Sequence, residues 1–521
     1  MLAFFLALLI ATGIGILLGT FTGLIPGLHV NTVALFIVAG YSICIALVSM
    51  VPGSNDGQVP LLVALVVTSL SITHTFLDFI PSTFLGVPDP DTALSVLPAH
   101  EMLLKGNGYR AVHLSAIGSL LALGIGCMIC IPYMLLLGPP VYGYRFLETA
   151  ILPILICLVT YMILSDPASV RGSHLLGRLP VLSIFLLAGL LGLVVLPLPA
   201  RSPIGIPTTM LFPLFSGLFG LSTLLISLND AENTEGFPEQ TISPPALRMQ
   251  MVKNAVPGTI AGSFVGFLPG VSSAHATLMA MLGTSENDPI SEEKRSNEAR
   301  GKEPITIEEE EEGTIGVGRK EPITIEEEES SGVGGKEPFA IEEEESSGIG
   351  GNVPIGIGRK ELIGGGNGDS IDTEEDVIVT LGAVNTANAL FVLVALFLTG
   401  KARSGAAVSI QQFLPIREWR LPISHDLVIL LIAVIISGMI AFHLALAIGR
   451  LVAERINMVP YRLLLRGIII SIISLVILFN GPMGLTVLVI ATATGIVPQV
   501  IGVRRSHLMG VLLIPVMFYY W

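Results

Sequence analysis

Gly23-Leu24-Ile25-Pro26-Gly27 runs on into Leu28-His29-Val30-Asn31-Thr32, and half a chain later Gly266-Phe267-Leu268-Pro269-Gly270 runs on into Val271-Ser272-Ser273-Ala274-His275. Each copy takes a Gly-rich apolar segment, breaks it at Pro-Gly, and resumes with small polar residues. Proline removes a backbone donor and clashes with the preceding turn, and glycine permits reversal, so together they unwind a helix. Inside a bilayer the freed backbone groups need partners, which a polar substrate or a cation supplies. The half-helix that restarts after the break presents unpaired N–H groups and the positive end of its dipole, an arrangement suited to an anion. A kink made for close packing explains either break alone. Two matched breaks favour a substrate site shared by two discontinuous helices.

Composition puts these breaks in a membrane. Of 521 residues, 52% are hydrophobic and 13% charged, and the mean hydropathy is +0.77, a balance foreign to water-soluble globules. The net charge of −14 is local: about 27 of the 41 acids and about 9 of the 27 bases lie between Ser285 and Asp376, which leaves the remainder near +4. Apolar runs near 2–20, 30–51, 60–80, 111–138, 149–165, 179–199, 207–228, 254–283, 377–400, 425–448, 464–480, 483–502 and 507–520 predict an all-α polytopic protein of about ten to thirteen membrane segments, some broken or re-entrant. The first run lacks a basic leader and an A-x-A cleavage site, so it reads as a retained helix. Basic turns at Lys105/Arg110, Lys401/Arg403 and Arg450/Arg455 are candidates for the cytoplasmic face. Because 425–448 separates two basic loops, the charge rule alone leaves orientation open.

A second echo extends the duplication. Gly86-Val-Pro-Asp-Pro-Asp-Thr-Ala-Leu94 followed by the basic turn at Lys105 resembles Gly382-Ala-Val-Asn-Thr-Ala-Asn-Ala-Leu390 followed by Lys401. The expected organisation is a first membrane repeat at 1–140, connecting membrane helices at 141–250, the start of a second repeat at 251–284, an acidic low-complexity loop at 285–376, and the rest of the second repeat with C-terminal helices at 377–521. Within the loop, Lys302-Glu-Pro-Ile-Thr-Ile recurs at Lys320 and again, altered, at Lys336. Each copy has too few apolar residues to bury a core, which predicts a solvent-exposed, disordered insertion.

The candidate substrate-binding residues are Gly23, Pro26, Gly27, His29, Asn31 and Thr32 at the first break, Gly266, Pro269, Gly270, Ser272 and Ser273 at the second, and Asn385, Thr386 and Asn388 in the Gly382 segment. Their hydroxyls and amides add directed hydrogen bonds to those of the backbone. His29 and His275 follow their prolines at unequal distances; each either couples proton flow or sits neutral on a backbone carbonyl. Asp89 and Asp91, acids in an apolar stretch, are candidate coupling-ion ligands, with a surface Pro-Asp turn as the competing reading. His74 and Asp78, one helical turn apart, suggest a buried pair or relay. With His100 and Glu101 they form the basis of a rival class, an intramembrane metal-dependent hydrolase, although no H-E-x-x-H signature accompanies them. A third class, a scaffold that only assembles partners, predicts no flux. Cys127 and Cys130 sit inside an apolar run and read as packing residues.

The two G-x-x-P-G breaks, the Gly86-Val-Pro segment leading to Lys105-Gly106 and Ala116-Ile117-Gly118, and the Gly382-Ala-Val-Asn-Thr-Ala-Asn-Ala stretch are together similar to the large membrane subunit of the tripartite tricarboxylate transporter family (TctA), and closest to its divergent archaeal-type members. The resemblance covers nearly the whole chain outside the acidic loop. It implies a cell-membrane permease, not an enzyme, that takes up a small organic anion, a carboxylate, with H+ or Na+. Besides the lipid bilayer, the implied partners are a small membrane subunit and an extracytoplasmic binding protein. No cofactor, resident metal or nucleic acid is expected. No G-x-x-x-x-G-K-[ST] motif is present, so the expected energy source is an ion gradient.

Overall fold

Long runs of Leu, Ile, Val and Ala with few charges satisfy their backbone internally, and the chain accordingly folds into helices. The computed structural model describes residues 2–25, 28, 30–39, 56–86, 96–139, 141–164, 178–205, 208–230, 238–268, 273, 276–277, 279–280, 369–416, 423–458 and 460–521. It divides the chain into two units, Met1–Asn287 with Lys360–Trp521, and Asp288–Arg359; every described residue lies in the first. Among the described residues the regular elements are all helical. Eight helices are long and apolar enough to cross a membrane, and Leu179–Val195 and Arg505–Tyr519 are shorter apolar helices. The protein is a multi-pass integral membrane protein. Leu17, Met128 and Phe146 stand well exposed on their helices, as lipid-facing side chains do.

The helices that frame the breaks are α1 (Leu2–Leu24), α2 (Val30–Ala39), α3 (Val59–Leu77) continued by α4 (Phe79–Leu85), α5 (Val96–Leu104), α6 (Gly108–Leu137) and α7 (Gly143–Leu164). After α8 (Leu179–Val195), α9 carries a π-helical turn at Ser216–Leu221 between Leu211–Phe215 and Ser222–Asp230. Then come α10 (Met249–Gly266), α11 (Asp369–Thr399), α12 (Gly405–Phe413), α13 (His425–Arg455), α14 (Tyr461–Ile501) and α15 (Gly510–Tyr519). Gly481, at φ 63°, breaks α14 into two stretches of about 30 Å each, and Asn480 Nδ2 secures that break by donating to Thr208 Oγ1 and the Thr209 carbonyl.

The breaks enter the fold through two helix pairs packed in the same way. In α1, Gly15, Gly19 and Gly23 lie four residues apart, and a Cβ at each would come within 2.5, 2.6 and 3.1 Å of the carbonyl oxygens of Val66, Leu70 and His74 on α3. In α10, Gly258, Gly262 and Gly266 repeat the spacing, with 2.8, 2.6 and 2.9 Å to the carbonyls of Thr380, Val384 and Asn388 on α11. Small residues every fourth position let two backbones touch, the way helices associate where lipid offers no hydrophobic drive. Both triplets end three residues before their Pro-Gly.

This packing gives a different register from the sequence echo. Gly86 caps α4 at φ 64°, whereas Gly382 lies mid-helix against the Ser115 backbone of α6. Opposite the glycines, Asn388 stands where His74 stands and Val392 where Asp78 stands, because Gly23 also meets Asp78 N and Gly266 meets Val392 N. The partners α3 with α4 and α11 are the most enclosed of the eight long helices, each 78% buried. Helix α11 also starts earlier than the boundary at 377: it begins at Asp369, and Glu374 and Glu375 are buried and paired with Lys105 and Arg110. Two of the bases assigned to a cytoplasmic turn thus tie α11 to the α5–α6 corner.

Candidate functional site

The apolar centre of α3 contains a cluster of small hydroxyls, Thr68, Ser69, Thr73 and Thr75, and below them His74 and Asp78, all buried. Helical spacing brings His74 and Asp78 onto one face, with Nε2 3.9 Å from Asp78 Oδ2. From α11, Asn385 Nδ2 donates to the same Asp78 oxygen at 2.8 Å. On the other side, His74 Nδ1 and Thr22 Oγ1 of α1 lie 3.1 Å apart. Thr75 and Thr386 share a hydrogen bond of 3.0 Å between α3 and α11. The close approach at Gly23, next to Thr22, is what allows α1 to reach this cluster. A single polar group therefore joins the first break-bearing helix to the helix that packs on the second.

Residues that flank the two breaks in sequence also meet one turn of chain. Asn31, just after the first Pro-Gly, accepts a hydrogen bond from Ala406 N at 2.9 Å through its Oδ1, capping α12 together with Ser404, whose Oγ accepts from Ala407 N. Immediately before Ser404 in that turn, the Arg403 guanidinium lies 4.8 Å over the ring of Phe267, two residues before Pro269. Arg403 Nη2 donates to Glu148 Oε1 of α7 at 2.9 Å. The segment Arg403–Ala406 thus touches residues flanking both breaks.

The predicted residues fare unequally. Gly23 and Gly266 end the two glycine triplets; Asn31 serves the α12 cap; Asn385 and Thr386 join the His74–Asp78 cluster. Asn388 is half-buried, and its Oδ1 lacks a hydrogen-bond partner among the described residues. Ser273 is buried, and its carbonyl accepts from Thr277 Oγ1. Pro26, Gly27, His29, Pro269, Gly270, Ser272, His275, Asp89, Asp91 and the Thr32 side chain lie outside the described residues. Among the described residues no group of three or more His, Cys, Asp or Glu side chains is placed to hold a metal ion, so His74, Asp78, His100 and Glu101 do not form the centre that a metal-dependent hydrolase needs. The reason is local: His100 Nδ1 lies 3.2 Å from the Thr83 carbonyl, in contact with the end of α4, while His74 belongs to Thr22 and Asp78. Cys127 and Cys130 are free thiols in α6.

Sequence inspection missed Arg403, Thr22 and the glycine triplets. The triplets carried a readable signal in their four-residue spacing. Arg403 carried none, because its contacts with Glu148 and Phe267 cross between distant segments.

A family model described as "Tripartite tricarboxylate transporter TctA family" matches residues 9–307 and 367–510. An uncharacterized protein of Methanocaldococcus jannaschii is 32% identical over 278 residues, 53% of this chain and 61% of that protein; the match thus spans less than two thirds of the relative's length. No solved structure matches the chain.

Proposed function

The chain belongs to the tripartite tricarboxylate transporter TctA family, and from that premise we propose that it is a secondary permease for a small organic anion, a carboxylate, driven by a proton or sodium gradient. The observation that carries the proposal is the Arg403–Ala406 turn, which touches Phe267 before the second break and Asn31 after the first. A substrate bound there lies beside a residue that precedes the second break and one that follows the first. The two equivalent glycine-packed pairs support a two-fold construction in which one pair moves against the other to alternate access.

The two glycine-packed pairs do not carry equal chemistry. Asp78 and His74 have Val392 and Asn388 as counterparts, so one half holds a buried carboxylate and imidazole and the other offers neutral groups. Ionisable side chains inside a membrane are expensive and mark ion pathways. In this proposal Asp78 with His74 binds the coupling cation together with Asp89 and Asp91, and the second half contributes the anion site with Ser272, Ser273 and Asn388. A small membrane subunit and an extracytoplasmic binding protein complete the system.

The test is uptake of labelled citrate and succinate into proteoliposomes under imposed proton and sodium gradients. Accumulation that follows one gradient, and falls when Pro26-Gly27 and Pro269-Gly270 are replaced by Ala-Ala, is expected. Flux indifferent to both gradients, or unchanged by the replacements, overturns the proposal.

A further inference from the structure

Arg403 is an unusual guanidinium for a membrane protein turn. Its side chain is only 4% exposed, so its cost of desolvation is high unless its donors are used. One is used, by Glu148. Nε and Nη1 are buried and have no hydrogen-bond partner among the described residues. The group is held from below by the Phe267 ring, which is itself packed by the Tyr133 and Tyr144 rings at 6.3 and 6.0 Å. Tyr133 is fixed in turn by its 2.6 Å hydrogen bond to the Ser263 carbonyl of α10. An aromatic floor attracts the cation without filling its in-plane donors. Arginine receives a carboxylate bidentately along either of two planar edges, Nε with Nη2 or Nη1 with Nη2, so each edge of Arg403 has one unused donor and shares the Nη2 that Glu148 holds. Glu148 is far less enclosed than its partner, at 37% exposed.

We propose that Arg403 is the anchor for a carboxylate group of the transported anion, which it receives beside Phe267 through Nη2 together with the unused Nε or Nη1 donor, with Glu148 as the resident carboxylate that occupies Nη2 between substrates and yields it to the anion. This inference rests on the permease reading and names the group in that site that recognises substrate charge. It accounts for three observations at once: a buried cation with unused donors, an exposed acid on the same cation, and a position beside a helix break. A purely structural ion pair accounts for the second only.

The full-length chain serves for two measurements, equilibrium binding of labelled citrate and succinate in detergent and uptake of the same compounds into proteoliposomes. Arg403→Gln is expected to weaken binding and raise KM by about tenfold or more, and Arg403→Lys to weaken both by a smaller factor, because an ammonium lacks the fork. Glu148→Gln, which removes the competing carboxylate and leaves the guanidinium, is expected to keep or tighten binding. Unchanged affinity in Arg403→Gln overturns the assignment while leaving the permease reading intact. Equal losses in Arg403→Gln and Glu148→Gln, with both proteins folded, also overturn it, since the pair is then structural. If the unaltered protein binds either compound in an Arg403-dependent way and transports neither, the site stands and the permease reading fails. If it binds neither, the site falls.

Discussion

Burying a carboxylate costs several kcal/mol unless partners surround it, and the chain meets that cost at Asp78 with the Asn385 amide and the His74 imidazole. Helix packing does not require the acid. Val392 fills the matching place against Gly266 on α11, so an apolar residue serves the same contact. Asp78→Asn preserves shape and removes the charge; it is expected to lower gradient-driven uptake by about tenfold or more while one-for-one exchange across the membrane persists. Equal loss of both modes in a folded protein argues for a packing role instead. A different economy operates at Arg505, which is buried and donates to the Leu218 and Phe219 carbonyls, Ser222 Oγ and Thr223 Oγ1. Those acceptors belong to the π-helical turn of α9 or its edge, where Ser222 Oγ and Thr223 Oγ1 also donate to the Leu218 and Phe219 carbonyls. Arg505→Met removes four donated hydrogen bonds and leaves the carbonyls only the two hydroxyls, and is expected to destabilise the protein by about 1–3 kcal/mol, read as a lower thermal midpoint in detergent.

The helix pairs make a sharper prediction at the scale of elements. A side chain at Gly19 or Gly262 meets backbone oxygen at 2.6 Å, so the helices must separate. Gly19→Leu and Gly262→Leu are each expected to cost about 1–3 kcal/mol or more, whereas Gly13→Leu, which has open space around its Cβ, leaves the thermal midpoint unchanged. The elements themselves were largely legible in the sequence. Pro-Gly is a local signal, and apolar runs long enough to span a bilayer have few other uses, so the ends of α1 and α10 and most long helices could be read directly. The register between elements was not. The likeness of 86–94 to 382–390 rests on small residues that serve a helix cap in one place and a mid-helix wedge in the other. Asn31 meets Ala406 across 375 residues of chain and Arg403 meets Glu148 across 255, and no local pattern encodes such partners. Acidity likewise misled at Glu374 and Glu375: composition merges them with the insertion, while their contacts with Lys105 and Arg110 make them the start of α11.

At the scale of the molecule, the segment from Asp288 to Arg359 forms a unit of its own. Its repeats carry too few apolar residues to join a packed core, and among the described residues of α11 the buried acids are Glu374 and Glu375. Deleting 300–359 is therefore expected to leave uptake and the thermal midpoint unchanged, while a deletion carried on through Glu375 lowers both.

The same insertion sets a timetable. Helices α1 and α3 are separated by about 34 residues, and their counterparts α10 and α11 by about 100. Closing the longer loop adds only about 1 kcal/mol of chain entropy, a trivial sum for the finished protein. At ribosomal rates of about 5–20 residues per second, however, α10 emerges roughly 5–20 s before the helix that its glycines are cut to fit. Throughout that interval its small-residue stripe faces either lipid, the completed first half, or the cell's insertion machinery. The first half can assemble as it is made, and the second has to wait for a partner still being translated.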